Sequence, residues 1–383
     1  MSSAQSVSKS DLERAVGAVV DPELRRTLSD LGMIGAVELV DSCARVEVKL
    51  TIAGCPAAQK IESDVRAAAL GLPDIASADI TVSVMTADER AQLVAGLRPA
   101  GARVNPFTAE SLTRVIAVTS GKGGVGKSSV TVNLACALTA AGYRVGILDA
   151  DVHGYSVPAL MGLAPEGIPI RPTRLDDMIV PPVAHDVKVI SIGMFVEDQA
   201  TAVAWRGPML QRTISQFLTD VHFGDLDFLL LDLPPGTGDV AITVGQLLPH
   251  SEVLIVTTPQ AASAGVAIRA GMLARQTGQR VIGVVENMTA GVVNGVELDL
   301  FGSGGAAEVA KGLSTADSTT GQVDVIGTIP LSVGMRVGGD TGVPIVVRDA
   351  NDPAAEAMSR LAMRVATAGA SRSGKSLGLQ PTR

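Results

Sequence analysis

Apolar positions in the first hundred residues follow two alternating periods. Leu12, Ala15, Val16 and Val19 recur at helical spacing between Asp11 and Val20, and the pair Asp21-Pro22 ends that run. From Arg45 to Ile52 every second residue is aliphatic (Val46, Val48, Leu50, Ile52), which is the period of a half-buried strand. A second helix is expected from about Pro56 to Ala69, after which Ile80, Val82 and Val84 return to the strand period. The pattern predicts a small α+β domain over residues 8–97. Residues 98–113 contain Pro99, Gly101 and Pro106, hold no period, and read as a linker.

Beyond the linker the rhythm changes. Aliphatic runs recur at Val115–Thr119, Val145–Leu148, Val187–Ile192, Phe228–Leu231, Val253–Thr257 and Val281–Val285, with helical or loop segments between most of them. Continuous rather than alternating runs belong to strands covered on both faces, so residues 114–370 are expected to form an α/β domain with a doubly wound, mostly parallel sheet. A chain of 383 residues exceeds what one core usually fills, in keeping with two domains. The Ser-, Gly- and Arg-rich end, residues 371–383, is expected to be a disordered tail. No internal repeat is evident.

Composition narrows the chemistry. Aromatic residues make up only 2% of the chain and the net charge is -8, which disfavours base stacking and broad attraction to a phosphate backbone, so no nucleic-acid partner is expected. The first ten residues lack the apolar core of a secretion signal, and no apolar stretch is long enough to span a bilayer. The tail from Ser371 lacks the apolar face of a membrane-surface helix, so no membrane partner is expected. Three cysteines, Cys43, Cys55 and Cys136, are too few for a disulfide framework and fit a reducing, cytoplasmic location.

Gly121-Lys122-Gly123-Gly124-Val125-Gly126-Lys127-Ser128 matches the phosphate-binding pattern of Gly, four residues, Gly, Lys and Ser or Thr. It stands directly after the strand Val115–Thr119 and opens a helix expected to run to about Ala141. In that setting backbone N–H groups and the helix N-terminus face the phosphates, Lys127 neutralises their charge, and the Ser128 hydroxyl is a magnesium ligand. The pattern therefore predicts binding and magnesium-dependent hydrolysis of ATP. Asp149 and Asp151 follow the strand Val145–Leu148, and Asp232 ends the run Leu229–Leu231. One aspartate alone would read as a cap or turn residue, but three at the ends of successive strands point to a cation, with Asp232 holding magnesium through its water shell. Pro234-Pro235-Gly236 reads as a stiff segment with one joint, a switch in which the Gly236 N–H would sense the terminal phosphate. Asn287 could pair with an adenine edge or be an ordinary turn residue. The four histidines show no metal-ligand spacing.

The segments Ser120–Ser128, Asp149-Ala150-Asp151 and Asp232–Asp239 resemble the deviant-Walker ATPases that include MinD, ParA and nitrogenase iron protein. That resemblance implies a homodimer in which Lys122 reaches the partner's phosphates, Asp151 orients the attacking water, Asp149 supports magnesium and Asn287 meets the adenine. Over nearly the whole chain, the phrases from Asp149 to Pro158, Asp232 to Asp239, Glu286 to Met288 and Phe301 to Gly305 are similar to the Mrp/ApbC family of iron–sulfur cluster carriers. Asp21-Pro22-Glu23, Asp30–Met33 and Thr51–Pro56 resemble the SufT/PaaD-type cluster-assembly domain.

The resemblance implies an ATPase that transfers clusters to apoproteins or works with cluster-assembly proteins. The family's Cys-Pro-x-Cys is missing, because Thr289–Leu300 contains no cysteine. A cluster-free, nucleotide-dependent dimeric switch or scaffold is the alternative. Cys55, in Gly54-Cys55-Pro56, is the remaining thiol with a candidate role as an iron–sulfur ligand, and a helix N-terminus there is expected to lower its pKa. Its other reading is a small buried residue.

Overall fold

A computed structural model describes residues 7–97, 104–152, 154–196, 207–293, 295–316 and 322–368. The expected tail at 371–383 and residues 98–103 of the expected linker lie outside the described residues. Helix α1 (Lys9–Gly17) begins in a capping box, in which the Ser8 hydroxyl accepts from the Asp11 N–H while the Asp11 carboxylate accepts from the Ser8 N–H. Strands β1 (Ile34–Val40) and β2 (Cys43–Leu50), helix α2 (Ala58–Leu70), strand β3 (Ser77–Val84) and helix α3 (Ala87–Leu97) complete the N-terminal domain. Its sheet has the order β1-β2-β3, antiparallel for the first pair and parallel for the second. Leu12, Leu28, Met33, Ile61 and Val65 fill the core beneath it. The periodicity located α1, β2, α2 and β3 to within a few residues but passed over β1 and α3. Cys43 opens β2.

The second domain starts with β4 (Arg114–Ser120), α4 (Lys127–Ala140), β5 (Val145–Asp149) and the short α5 (Ser156–Leu160). A hairpin of β6 (Thr173–Leu175) and β7 (Met178–Val180) follows, then β8 (Val183–Ala184), β9 (Val187–Ser191), α6 (Gly207–Asp220), β10 (Phe228–Asp232), α7 (Asp239–Leu247), β11 (Glu252–Thr257) and α8 (Ala261–Gln276). The chain closes with β12 (Arg280–Thr289), the hairpin β13 (Gly291–Val293) and β14 (Val296–Leu298), α9 (Gly305–Ala316), β15 (Val325–Pro330), α10 (Val333–Thr341), α11 (Ile345–Arg348) and α12 (Pro353–Thr367).

Eight strands form one sheet in the order β15-β12-β11-β4-β10-β5-β9-β8, parallel throughout except for β8, which runs against β9. This is the doubly wound α/β architecture expected of the aliphatic runs. Ile116, Ala117, Val118, Leu229, Leu230, Leu231, Leu254, Ile255 and Val256 have no exposure, each large aliphatic side chain contributing roughly 1.5–3 kcal/mol by burial. Helix α4 is buried from Val130 to Leu138 because α12 and α5 cover the faces it turns away from the sheet. The β6–β7 hairpin crosses to the other domain, where Leu175, Met178 and Val180 join its core and Asp176 pairs with Arg90 at 3.6 Å.

Candidate functional site

The end of the central strand β4 sets the site. Its last residues are buried, and the chain leaves the sheet at Ser120 and turns through 121–126 before α4 begins at Lys127. Gly126 caps that helix with φ +79°, a left-handed conformation. The Asn287 side-chain amide, at the end of β12, donates to the Val125 carbonyl at 2.8 Å and passes so close to Gly126 that a Cβ there would collide with it. Glycine is thus required at 126 by backbone and by space. A cleft of about 380 Å³ opens over the loop, walled by Lys122, Ser128, Asp151, Ser156 and Pro235.

Below the loop, three side chains converge on one carboxylate. Asp232, with no exposure, accepts at Oδ2 from the Lys127 ammonium (2.6 Å) and the Ser128 hydroxyl (2.6 Å), and at Oδ1 from the Thr131 hydroxyl (2.7 Å). The Asp151 carboxylate lies 3.5 Å from the same ammonium. Asp149 pairs in register with Asp232 on the neighbouring strand and is fully buried. It accepts from the Ser191 hydroxyl at 2.9 Å and the Asp151 N–H at 3.0 Å. Burial above all, and the Asp232 charge after it, hold the Asp149 carboxyl well above the usual carboxylate range. The Ser128 hydroxyl and the Asp232 carboxylate present oxygen donors beside one another, which suits a hard divalent cation such as magnesium and not a soft metal.

The remaining loop residues hold different partners. The Lys122 ammonium donates to the Gln260 side chain at 2.9 Å, at the start of α8, and takes no part in the carboxylate cluster. Gly236 has φ +90°, and its N–H donates to the Ser120 carbonyl at 2.8 Å. Thr131, Ser191 and Gln260 were not singled out by the sequence. Thr131 is one helical turn beyond Lys127 and so faces the same way, a signal that was available. Ser191 and Gln260 become neighbours of Asp149 and Lys122 only through the order of the strands.

Cys55 stands apart from this constellation, in the core of the N-terminal domain. Its expected acidity is corrected by the structure. The thiol is only 8% exposed, and burial first, with the nearby Glu23 carboxylate next, pushes it up to about 11. Helix α2 begins three residues later, and the N–H groups of Ala57 and Ala58 exert the weaker, opposing pull. Cys136, inside α4, is pushed by burial to about 12. Among the described residues, no three His, Cys, Asp or Glu side chains gather so as to hold a metal ion by themselves. The cysteine-free stretch from Thr289 to Leu300 carries the β13–β14 hairpin, with Val292, Val296 and Leu300 exposed.

Comparison with known proteins adds the following. Residues 111–366 match the family model of the NUBPL iron-transfer P-loop NTPase, and residues 9–82 match that of an iron-sulfur cluster assembly protein. An iron-sulfur cluster carrier protein of Mycobacterium tuberculosis (strain H37Rv) is 47% identical over 376 residues, covering 97% of either chain. One from Synechocystis is 37% identical over 351 residues, covering 91% of this chain and 94% of that protein. Among solved structures, a nucleotide-binding protein from Archaeoglobus fulgidus in complex with ADP, with cobalt found, is 36% identical with a TM-score of 0.50, covering 61% of this chain and 87% of that one.

Proposed function

This chain belongs to the NUBPL iron-transfer P-loop NTPase family, and on that footing we propose that it is a cytoplasmic, magnesium-dependent ATPase that carries iron–sulfur clusters and hands them to apoproteins. The observation that carries the reading is the convergence of Lys127, Ser128 and Asp232 beneath a phosphate-sized loop, on one chain with an assembly-type domain.

In this reading the N–H groups of residues 121–128 and the Lys127 ammonium bind the β- and γ-phosphates, so Lys127 leaves Asp232 as nucleotide enters. Ser128 and Asp232 would then hold magnesium, with Asp149 in support; the ion neutralises charge on the phosphate oxygens. Thr131 and Ser191 keep Asp232 and Asp149 oriented through the exchange. Asp151, at the cleft wall, orients the attacking water. Lys122 leaves Gln260 and reaches the phosphates bound by a second copy of the chain, and the homodimer closes around two nucleotides. The Gly236 N–H exchanges the Ser120 carbonyl for the terminal phosphate, which couples its presence to the segment from Pro234 onward. Asn287 braces the loop through Val125 and meets the adenine with its remaining capacity.

The cluster is cargo in this cycle. Nucleotide can release it only by favouring a conformation that holds it less well. Cys55 offers one thiol per subunit, so the other ligands would come from the second subunit and from the client or small thiols. Iron bound beside Asp21 and Glu23 would favour the thiolate that those carboxylates otherwise oppose. Anaerobic purification and reconstitution, followed by iron and sulfide analysis, tests this. Visible iron–sulfur absorption that weakens in Cys55→Ala, and passes to an apoprotein faster with ATP, is expected. A colourless dimer under all conditions would remove the carrier role and leave the cluster-free scaffold, the reading that the cysteine-free 289–300 stretch favours.

A further inference from the structure

The two domains enclose a cavity of about 860 Å³. Its wall carries four cationic side chains, with Arg25 and Arg26 coming from the N-terminal domain, Arg144 from the turn before β5, and Lys188 from β9. Lys188 is 1% exposed, yet among the described residues its ammonium has one long hydrogen bond, 3.5 Å to the His222 carbonyl. Among the described residues, Arg25 donates to the Asp186 carbonyl and Arg26 to the Gly96 carbonyl. Among the described residues none of these three has a carboxylate within ion-pair distance, whereas Arg144 is matched by Asp227 and Asp225.

A buried ammonium with no carboxylate in contact is costly and persists only when something else rewards it. Asp21 and Glu23 attract Lys188 from beyond contact, but burial and the repulsion of Arg25 outweigh them, and its pKa falls to about 8. The one acidic side chain in the wall, Asp225, is 94% exposed and engaged by Arg144. Leu97, Phe107 and Leu226 also line the cavity. The volume lies within the range of small-molecule sites.

We propose that this interdomain cavity binds a small organic phosphate, its phosphoryl group between Arg25, Arg26 and Lys188 and its carbon skeleton against Leu97, Phe107 and Leu226. A dianionic phosphate answers three unpaired cations better than a single carboxylate does, and guanidinium forks match its oxygens.

The test uses the full chain with its phosphate loop saturated with magnesium and ADP, so that phosphate binding there is blocked. Phenyl phosphate titrated by calorimetry should bind at one site per chain. Arg26→Gln, at an exposed position, and Lys188→Met should each weaken it by about tenfold or more, the loss of one charged hydrogen bond. Should Lys188→Met fail to fold, Arg25→Gln replaces it, with melting curves as the folding check. Benzoate should bind far more weakly. Absence of heat, binding unchanged in the variants, benzoate binding equally well, or binding only when ADP is withheld would each overturn the proposal, and none of these would touch the ATPase reading.

Discussion

The Lys127 ammonium and the Ser128 hydroxyl meet on the same oxygen of Asp232, each at 2.6 Å. The residue that would grip phosphate and the residue that would ligate magnesium are thereby held by one fully buried carboxylate. Drawing Lys127 away from Asp232 would leave a buried carboxylate without its counter-ion, a charge that magnesium held by Ser128 and Asp232 would offset.

Lys127→Ala should lower ATP hydrolysis by roughly a hundredfold or more, since a fixed cation at the developing phosphate charge is lost and nothing nearby replaces it. Phosphate release at saturating ATP measures it, and turnover at the wild-type rate would show that the site lies elsewhere.

Thr131→Val keeps shape but removes the donor to Asp232 Oδ1. A buried acceptor stripped of one partner costs about 1–3 kcal/mol. The urea midpoint should fall accordingly, and Thr131→Ser should restore most of it; an unchanged midpoint in the valine variant would mean that Oδ1 is satisfied otherwise.

The phosphate loop and the central strands were legible because their signals are local. The loop is a contiguous pattern, and β4, β10 and β11 are unbroken aliphatic runs buried on both faces. Strand β15 and the β6–β7 hairpin were not, being short pieces whose burial depends on residues far along the chain. Leu175, Met178 and Val180 look like ordinary apolar residues until the N-terminal domain is placed over them. The acidity of Cys55 was misjudged for the same reason. Its sequence neighbours suggest a helix N-terminus, whereas the residue that opposes its ionisation, Glu23, lies thirty-odd positions earlier. Lys188, inside the run Val187–Ile192, is almost wholly buried, which nothing local in the sequence signals.

Alkylation separates the thiols. With its pKa at about 11 instead of 9.0, folded Cys55 at pH 8 carries about a hundredth of the thiolate it has in the unfolded chain, and its burial slows reagent further. Iodoacetamide should label half-buried Cys43 in the native protein, while Cys55 and Cys136 react only in denaturant, as read by peptide mass spectrometry. Ready labelling of native Cys55 would contradict the buried placement and revive the helix-activated thiol.

Glu23 should make stability fall as pH rises. Burial first, and the Asp21 charge second, raise its carboxyl from 4.5 to about 7 in the folded state. Between those two values the folded protein holds a proton that the unfolded chain has released, so protons favour folding and stability declines with pH across that window. Above pH 7 the penalty is complete, at most ~3 kcal/mol for a gap of this size. Glu23→Gln stays neutral at every pH and escapes it. The variant and the wild type should have equal urea midpoints near pH 4.5 and diverge progressively to pH 8, with the glutamine form the more stable. Lys188 works against this trend only partly, because its attraction already limits how far Glu23 is raised. Parallel midpoint curves for the two proteins would mean that Glu23 ionises in the native state as freely as in water, and that its buried placement is wrong.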